Sequence, residues 1–183
     1  IQQMTKVGLM IFMQEDLSLL NNNGSIIYMN IPIILGTPLQ GHQSAKAAKF
    51  VLKEVQMTGI KTELIDINYS PKKYNSLIKK ADGLIIVSPE YNHSFPGELK
   101  ILLDKAYDEY KRKPLGICGV SSGGFGGARM VEQLRLVAVE LGLVNLQSAV
   151  YFSRIKEGIN EKWQSEAVGK MLQDLIWFTE KLK

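Results

Sequence analysis

The chain has 183 residues, enough for one domain with a sizeable core and too few for two ordinary domains. Its content of 45% hydrophobic and 22% charged residues is typical of a globular domain rather than a disordered chain. The net charge of +4 is scattered, and no apolar run approaches the roughly 20 residues of a membrane helix, so we expect neither nucleic acid nor a membrane as partner.

The first 29 residues differ from the rest of the chain. They form an apolar stretch followed by polar residues, without the basic start, long apolar core and cleavage site of a signal peptide. We predict an N-terminal extension of uncertain structure over residues 1–29 and one folded domain over residues 30–183. Three alternatives remain open for the residues before Met29: an extension, a docking arm or a start-site artefact.

From Asn30 onward, strand-like and helix-like segments alternate five times. Short runs of Ile, Val and Leu predict strands, and apolar residues at helical spacing predict helices. The predicted strands span residues 31–35, 62–67, 83–87, 115–120 and 146–152. The predicted helices span residues 45–57, with Ser44 as the cap, and residues 71–80, 97–110 (with Pro96 as the alternative first residue), 128–141 and 163–182.

This alternation predicts an α/β fold. It implies right-handed crossovers and a parallel sheet covered by helices on both faces. Five strands fit a doubly wound sheet in the order 2-1-3-4-5, in which the chain reverses direction between the first and third strands. The loops after Leu35, Val87 and Val120 then converge at one edge, which is the candidate site.

The loop after Leu35, residues 36–44, runs from a strand to the start of a helix. Free amides and the positive end of the helix dipole attract a phosphate there, and Thr37 and Ser44 add hydroxyl groups. The same residue types are ordinary in turns, so a purely structural interpretation also remains open. The loop matches neither the dinucleotide glycine fingerprint nor a P-loop.

The loop after the third strand begins Ser88-Pro89-Glu90-Tyr91-Asn92. Tyr91 supplies a flat ring and Asn92 an amide that both donates and accepts, a combination that suits a flat heteroaromatic ligand. Glu90 is alternatively a surface carboxylate or a helix cap, and His93 a solvated bystander. No nucleophile with a partner accompanies them, so we see no hydrolytic triad.

The third loop reads Ser121-Ser122-Gly123-Gly124-Phe125-Gly126-Gly127. Its four glycines let a ligand lie against the backbone, where successive amides face an electron-rich group. The alternative is a flexible loop without a ligand. Phe125 argues against that alternative, because an exposed ring among glycines usually covers something.

The single cysteine, Cys118, lies in an apolar run, which predicts a small buried hydrophobe rather than a nucleophile. One cysteine forms no internal disulfide, and this is compatible with a reducing compartment. We therefore expect a cytoplasmic protein.

The sequence resembles the NADPH-dependent FMN reductase family, which includes quinone, azo-dye and chromate reductases. The residues that carry the resemblance are the Ser88–Asn92 pentapeptide, then Phe95-Pro96-Gly97-Glu98-Leu99-Lys100 with Leu103-Asp104, and then the glycines around Phe125. The resemblance extends from about Asn30 to the C-terminus. It implies a flavodoxin-like three-layer sandwich that assembles as a homodimer or homotetramer, with the helix after Gly97 as an interface element.

Position by position, the resemblance implies an FMN site on the three loops. The phosphate would be held by Thr37, Gln43 and Ser44, with His42 nearby. The isoalloxazine and ribityl chain would be lined by Pro89, Glu90, Tyr91 and Asn92. The opposite side would be closed by Ser122, Gly123, Gly124 and Phe125. The resemblance implies no catalytic side chain and no metal.

One position departs from the family pattern. Many members carry an arginine in the phosphate loop, where this chain has Leu39 and, a little later, His42. The exchange removes a charge-assisted bidentate donor to the phosphate. We expect either weaker FMN binding, with amides, hydroxyls and protonated His42 as substitutes, or a preference for an altered ligand.

The resemblance implies an oxidoreductase in which NADPH reduces bound FMN and a small acceptor then reoxidises it. The acceptor (quinone, azo compound, metal ion or free flavin) and the choice between NADPH and NADH stay open. The rival hypotheses are a flavin-binding electron carrier without NADPH turnover and, because of Leu39, a cofactor-free regulatory member. A hydrolase is a weaker alternative, since Ser121 and Ser122 lack the nucleophile-elbow spacing.

Overall fold

A computed structural model describes residues 28–183, in which helices flank a five-stranded parallel sheet. Its strands are β1 (Ile33–Leu35), β2 (Leu64–Ile65), β3 (Leu84–Pro89), β4 (Pro114–Val120) and β5 (Val144–Phe152). The α-helices of these residues are α1 (Ser44–Met57), α2 (Pro71–Lys80), α3 (Gly97–Leu103), α4 (Ala128–Glu140) and α5 (Glu161–Leu182). Two short 3-10 helices cover Asp108–Tyr110 and Ile155–Glu157. Over residues 28–183, no helix is long and apolar enough to cross a membrane.

The sheet order is β2-β1-β3-β4-β5, and all neighbouring strands are parallel. This confirms the predicted doubly wound order, with its reversal between β1 and β3. Ile33 of β1 pairs with Leu64 of β2 on one side and with Ile85 of β3 on the other. The carboxyl ends of β1, β3 and β4 therefore open at one edge, as the sequence predicted.

The apolar core has two parts, one on each face of the sheet. One part packs α1 and α5 against side chains such as Val87 and Cys118. The other packs α2, α3 and α4 against side chains such as Ile34 and Ile86. The three strands β1, β3 and β4 are almost wholly buried, because helices cover both of their faces.

The predicted extension lies outside the described residues as far as position 27. Met29 is buried in the core, and its carbonyl accepts a hydrogen bond of 3.0 Å from the Lys61 amide. The division at residues 29 and 30 stays a prediction.

The helix predicted over residues 97–110 is wrong in its second half, because α3 ends at Leu103. Tyr110 lies in the 3-10 helix and turns its hydroxyl into the core, 2.7 Å from the Tyr74 hydroxyl. The Tyr110 hydroxyl donates a further bond of 3.0 Å to the Leu103 carbonyl. These buried bonds bend the chain out of the straight helix that the apolar spacing predicted.

The prediction that Ser44 caps α1 is also wrong. Gln43 occupies the cap position with helical backbone angles and makes no side-chain cap hydrogen bond, while Ser44 is the first helical residue. The Ser44 hydroxyl is instead bonded to Thr37, within the loop after β1. The helix start is thus tied to its own loop by a side-chain pair.

Candidate functional site

Three loops meet at the carboxyl edge of the sheet: the first loop (residues 36–44), the second loop (residues 88–94) and the third loop (residues 121–127). The Gly36 amide donates to the Val87 carbonyl at 2.9 Å, which joins the first loop to β3. The Glu90 amide donates to the Val120 carbonyl at 2.9 Å, which joins the second loop to β4. The convergence predicted from the strand order is therefore present.

In the first loop, Thr37 and Ser44 are buried and their hydroxyl oxygens lie 2.9 Å apart. One hydroxyl donates to the other, so the pair retains one proton that a ligand oxygen can accept. Gln43 is exposed and His42 partly buried at the same helix start. All four residues predicted for the phosphate end thus lie together at the N-terminus of α1.

The amide of Leu39 is hydrogen-bonded to a side chain from outside the three loops. It donates to the Asp66 carboxylate at 3.0 Å, and Asp66 directly follows β2 at the same edge of the sheet. Asp66 also accepts bonds of 3.0 and 3.2 Å from the backbone and side-chain amides of Asn68. A carboxylate therefore lies at the tip of the first loop.

The second loop is a tight turn. Tyr91 and Ser94 exchange two backbone hydrogen bonds of 2.8 and 3.0 Å. The two residues between them have left-handed backbones, with φ +49° at Asn92 and +68° at His93, an arrangement typical of two-residue hairpin turns. The turn holds Tyr91 and Asn92 exposed, and the Tyr91 hydroxyl lies 3.4 Å from His42 Nδ1. This contact joins the second loop to the first.

Glu90 points away from the exposed part of the second loop. Its side chain is only 5% exposed and accepts a 2.7 Å hydrogen bond from Arg129 Nε, while Arg129 Nη2 contacts the same oxygen. Arg129 lies in the first turn of α4, so this ion pair fastens the second loop to the helix that follows the third loop.

The environment of Glu90 favours its charged form. Burial, the largest single influence, opposes ionisation, but it is outweighed by the Arg129 hydrogen bond, the backbone amides of Met130 and Arg129, and the Arg129 charge. The pKa of Glu90 therefore lies below its ordinary value. Glu90 is therefore an ionised residue that joins the second loop to α4.

The third loop is buried at one end and exposed at the other. Gly126 and Gly127 are buried with φ +61° and +84°, conformations that side-chain-bearing residues rarely adopt. The exposed portion contains the predicted residues Ser122, Gly123, Gly124 and Phe125. Phe125 is 72% exposed, and the Arg129 guanidinium lies 5.4 Å from its ring centroid.

A fourth segment, the turn after β5, supports the third loop. The Arg154 amide donates to the Gly123 carbonyl at 3.0 Å, and the Ile155 amide donates to the Ser121 carbonyl at 3.1 Å. These two bonds hold the Ser121 and Gly123 carbonyls against the turn after β5 and so fix the position of the third loop.

Sequence reasoning missed Asp66 and Arg129. Asp66 follows a strand whose carboxyl end opens at the site edge, which was a usable signal. Arg129 places a cation in the first turn of a helix, where the helix dipole disfavours positive charge, and this predicts an anionic partner. That partner, Glu90, could not be found without the fold.

The arrangement offers backbone amides, hydroxyls and exposed rings rather than a nucleophile. Cys118 is fully buried, as predicted, and this burial raises the pKa of its thiol and keeps it protonated. Among residues 28–183, no group of His, Cys, Asp and Glu side chains is placed to hold a metal ion. Such a site suits a ligand that brings its own reactive group.

Comparison with known proteins points to one family. The model of the NADPH-dependent FMN reductase family matches residues 29–157, more than two thirds of the chain. An NAD(P)H-dependent FMN reductase of Schizosaccharomyces pombe is 46% identical over 67 residues, which are 37% of this chain and 32% of that protein. A 2-hydroxy-1,4-benzoquinone reductase of a Burkholderia species is 37% identical over 113 residues, 57% of this chain and 62% of that protein. The chain thus spans from about a third to less than two thirds of the length of these relatives.

The fold is shared with solved structures. FerB, a flavoenzyme NAD(P)H:(acceptor) oxidoreductase from Paracoccus denitrificans, superimposes with a TM-score of 0.71 at 19% identity. The match covers 84% of this chain and 98% of that one. At 19% identity, the superposition shows that the two proteins share the same fold.

Proposed function

The chain belongs to the NADPH-dependent FMN reductase family, and from that premise we propose that it binds FMN across the three loops and passes electrons from NAD(P)H to a small acceptor. The observation that carries the proposal is the meeting of the three loops at the reversal point of the sheet, where open α/β sheets bind ligands. When bound there, FMN would supply the hydride chemistry. The protein would bind it, orient it and leave one face open.

The residues at this edge fit an FMN in both chemistry and space. At Gly36, an added Cβ would lie 2.7 Å from Ser88 Oγ, so bare backbone is required where the first loop passes β3. At Gly123 and Gly124, an added Cβ would meet nothing within 4 Å, so open space lies beside the exposed amides. The donors are amides and hydroxyls, which suit a phosphate, a ribityl chain and a polar ring edge.

Each loop has a proposed part in binding. The hydroxyl pair of Thr37 and Ser44, with Gln43 and His42, would hold the phosphate at the N-terminus of α1. Pro89, Tyr91 and Asn92 would line the ring and the ribityl chain. Amides of Ser122, Gly123 and Gly124 would face the part of the ring that gains negative charge on reduction, with Phe125 covering it.

A quinone is the acceptor class that we propose. One relative is named as a 2-hydroxy-1,4-benzoquinone reductase, and Tyr91 and Phe125 offer exposed rings at the site edge on which a flat acceptor can stack. We also propose a cytoplasmic location, because the single cysteine is a free thiol, which suits a reducing compartment.

A cofactor-free regulatory member is the second candidate. It is favoured by Leu39 in place of an arginine and by the Asp66 carboxylate at the tip of the first loop. Both features reduce attraction for a phosphate. The two candidates differ in whether FMN binds the folded protein at all.

We expect FMN to raise the melting temperature of the protein, since a ligand that binds only the folded state stabilises it. Anaerobic addition of NADPH to the FMN-loaded protein should then bleach the yellow flavin absorbance within seconds, and a quinone should restore it. No thermal shift in excess FMN would support the cofactor-free candidate. Binding without bleaching by NADPH or NADH would support the electron carrier.

We further propose a homodimer whose interface is formed by α3 and α4. Four large apolar side chains on these helices and the segment between them are more than half exposed: Ile101, Tyr107, Leu136 and Val139. Tyr107 and Leu136 line a groove of about 480 Å³ whose walls also include Ala106 and Leu141. Exposed apolar side chains gathered in this way are typical of protein interfaces. Since Arg129, which pairs with Glu90, lies in the first turn of α4, the interface would start beside the site.

The double substitution Leu136→Lys and Val139→Lys should convert the dimer to a monomer. The two residues lie three positions apart on one face of α4, so the substitutions place two charges in the proposed interface. The molar mass measured by light scattering should halve. Met57→Lys is the matched control, since Met57 is also exposed but lies at the end of α1, on the other side of the sheet. An unchanged mass in the double variant would refute the interface while leaving the proposal for FMN intact.

A further inference from the structure

Among residues 28–183, Asp66 is the one acidic side chain that is hydrogen-bonded to the first loop. It is partly buried, and its Oδ2 accepts the Leu39 N–H at 3.0 Å. The two Asn68 donors hold the carboxylate in place, with Oδ1 bonded to the backbone amide and Oδ2 to the side-chain amide. Asp66 thus has a fixed position and accepts the hydrogen bond of the Leu39 amide, which would otherwise be free to donate to an anionic ligand.

The first loop contains no compensating cation. Between Gly36 and Ser44 the sequence has neither lysine nor arginine, and position 39 is a partly exposed leucine. Attraction for a phosphate comes from the remaining amides, the Thr37 and Ser44 hydroxyls, the polar side chains of Gln43 and His42, and the dipole of α1. The Asp66 charge, which is hydrogen-bonded to the same loop, opposes this attraction.

We infer that Asp66 is a specificity-determining residue that lowers the preference of this site for FMN over riboflavin. The inference rests on the proposed function, because it assigns Asp66 to the phosphate end of the same flavin site. A phosphate dianion near the tip of the first loop is repelled by the carboxylate and finds the Leu39 amide already bonded. Riboflavin, which ends in a neutral hydroxyl, meets neither obstacle.

The repulsion is modest because the loop is open to water. Two charges on a phosphate several ångströms from one carboxylate, at the dielectric constant of a protein surface and partly screened by salt, change affinity by roughly three- to tenfold. Asp66→Asn should therefore tighten FMN binding by about fivefold. Binding of riboflavin should change by less than about twofold, because Asn retains a carbonyl that accepts the Leu39 amide.

The test is isothermal titration of FMN and of riboflavin into four proteins: wild type, Asp66→Asn, Asp66→Glu and Glu180→Gln. Asp66→Glu keeps the charge and should keep the wild-type ratio of the two affinities. Glu180→Gln removes the same charge from an exposed position near the end of α5 and should leave both affinities unchanged. Circular dichroism verifies that every variant is folded.

A change confined to FMN in Asp66→Asn, absent from Asp66→Glu, supports the inference. Equal changes for both flavins, or no change for either, would overturn it and leave Asp66 a packing residue. Failure of the wild-type protein to bind either flavin is a separate outcome. It would overturn the proposed function, and this inference with it.

Discussion

Gly127→Ala is expected to destabilise the protein by about 2–4 kcal/mol and to weaken FMN binding at least tenfold. Gly127 has φ +84°, and an alanine Cβ would lie 2.7 Å from the Val120 backbone nitrogen and 3.0 Å from the Gly119 Cα. Both neighbours are backbone atoms of β4, which is hydrogen-bonded to β3 on one side and β5 on the other, so they cannot move aside. The third loop would have to lift away from the site. Urea unfolding and FMN titration measure the two effects.

Gly169→Ala is the matched control for this substitution. Gly169 lies in α5, where an added Cβ would meet nothing within 4 Å, so the same chemical change fits the backbone. Alanine is the better helix former by about 1 kcal/mol, so the variant should be as stable as the wild type or slightly more so. If the Gly127→Ala variant kept the stability and the FMN affinity of the wild type, the third loop would not have the left-handed backbone described at Gly127.

Arg129→Ala is expected to destabilise the protein by about 1–3 kcal/mol at neutral pH, because it leaves the Glu90 carboxylate buried without its charged donor. The lower part of this range reflects the exposure of Arg129, whose side chain is 47% exposed. The double variant with Glu90→Gln should recover part of the loss, since a neutral amide requires no counter-charge. Equal losses in the single and double variants would contradict a direct coupling between the two side chains.

The same pair predicts a pH dependence of stability. Because the pKa of Glu90 is lower in the folded protein than its ordinary value of 4.5, the folded state favours the carboxylate. Its contribution is complete above the ordinary pKa and is lost as the pH falls through the lower, folded value. The free-energy difference between wild type and Glu90→Gln should therefore shrink as the solution is acidified. A difference that stays constant from neutral to acidic pH would show that Glu90 is not ionised in the folded protein.

The strand order and the location of the site could be predicted from the sequence because they depend on strong, local signals. The uninterrupted apolar run before Ser88 is required of a central parallel strand, and the polar loop after it marks the carboxyl edge. Alternation with helices then leaves little freedom in the connections. The meeting of the three loops follows from these two facts.

Side-chain partnerships across the fold could not be predicted in the same way. The family resemblance placed Glu90 beside the ligand, whereas its ion pair with Arg129, 39 residues away along the chain, depends on the fold. Tyr110 continued an apolar pattern, and its buried bond to Tyr74 ended the helix. Leu39 differs visibly from the arginine of the family pattern. The hydrogen bond between Asp66 and the Leu39 amide, in contrast, depends on how the fold brings the end of β2 beside the first loop. Each case is a tertiary contact that outweighs a local preference.

Amide hydrogen exchange with and without FMN tests directly whether the three loops form one site. We expect FMN to slow exchange together in residues 36–44, 88–94 and 121–127, with no change at Asn30 and Lys61, which pair at the opposite edge of the sheet. Slowing confined to one loop, or located at the opposite edge, would contradict the claim that the three loops form one flavin site.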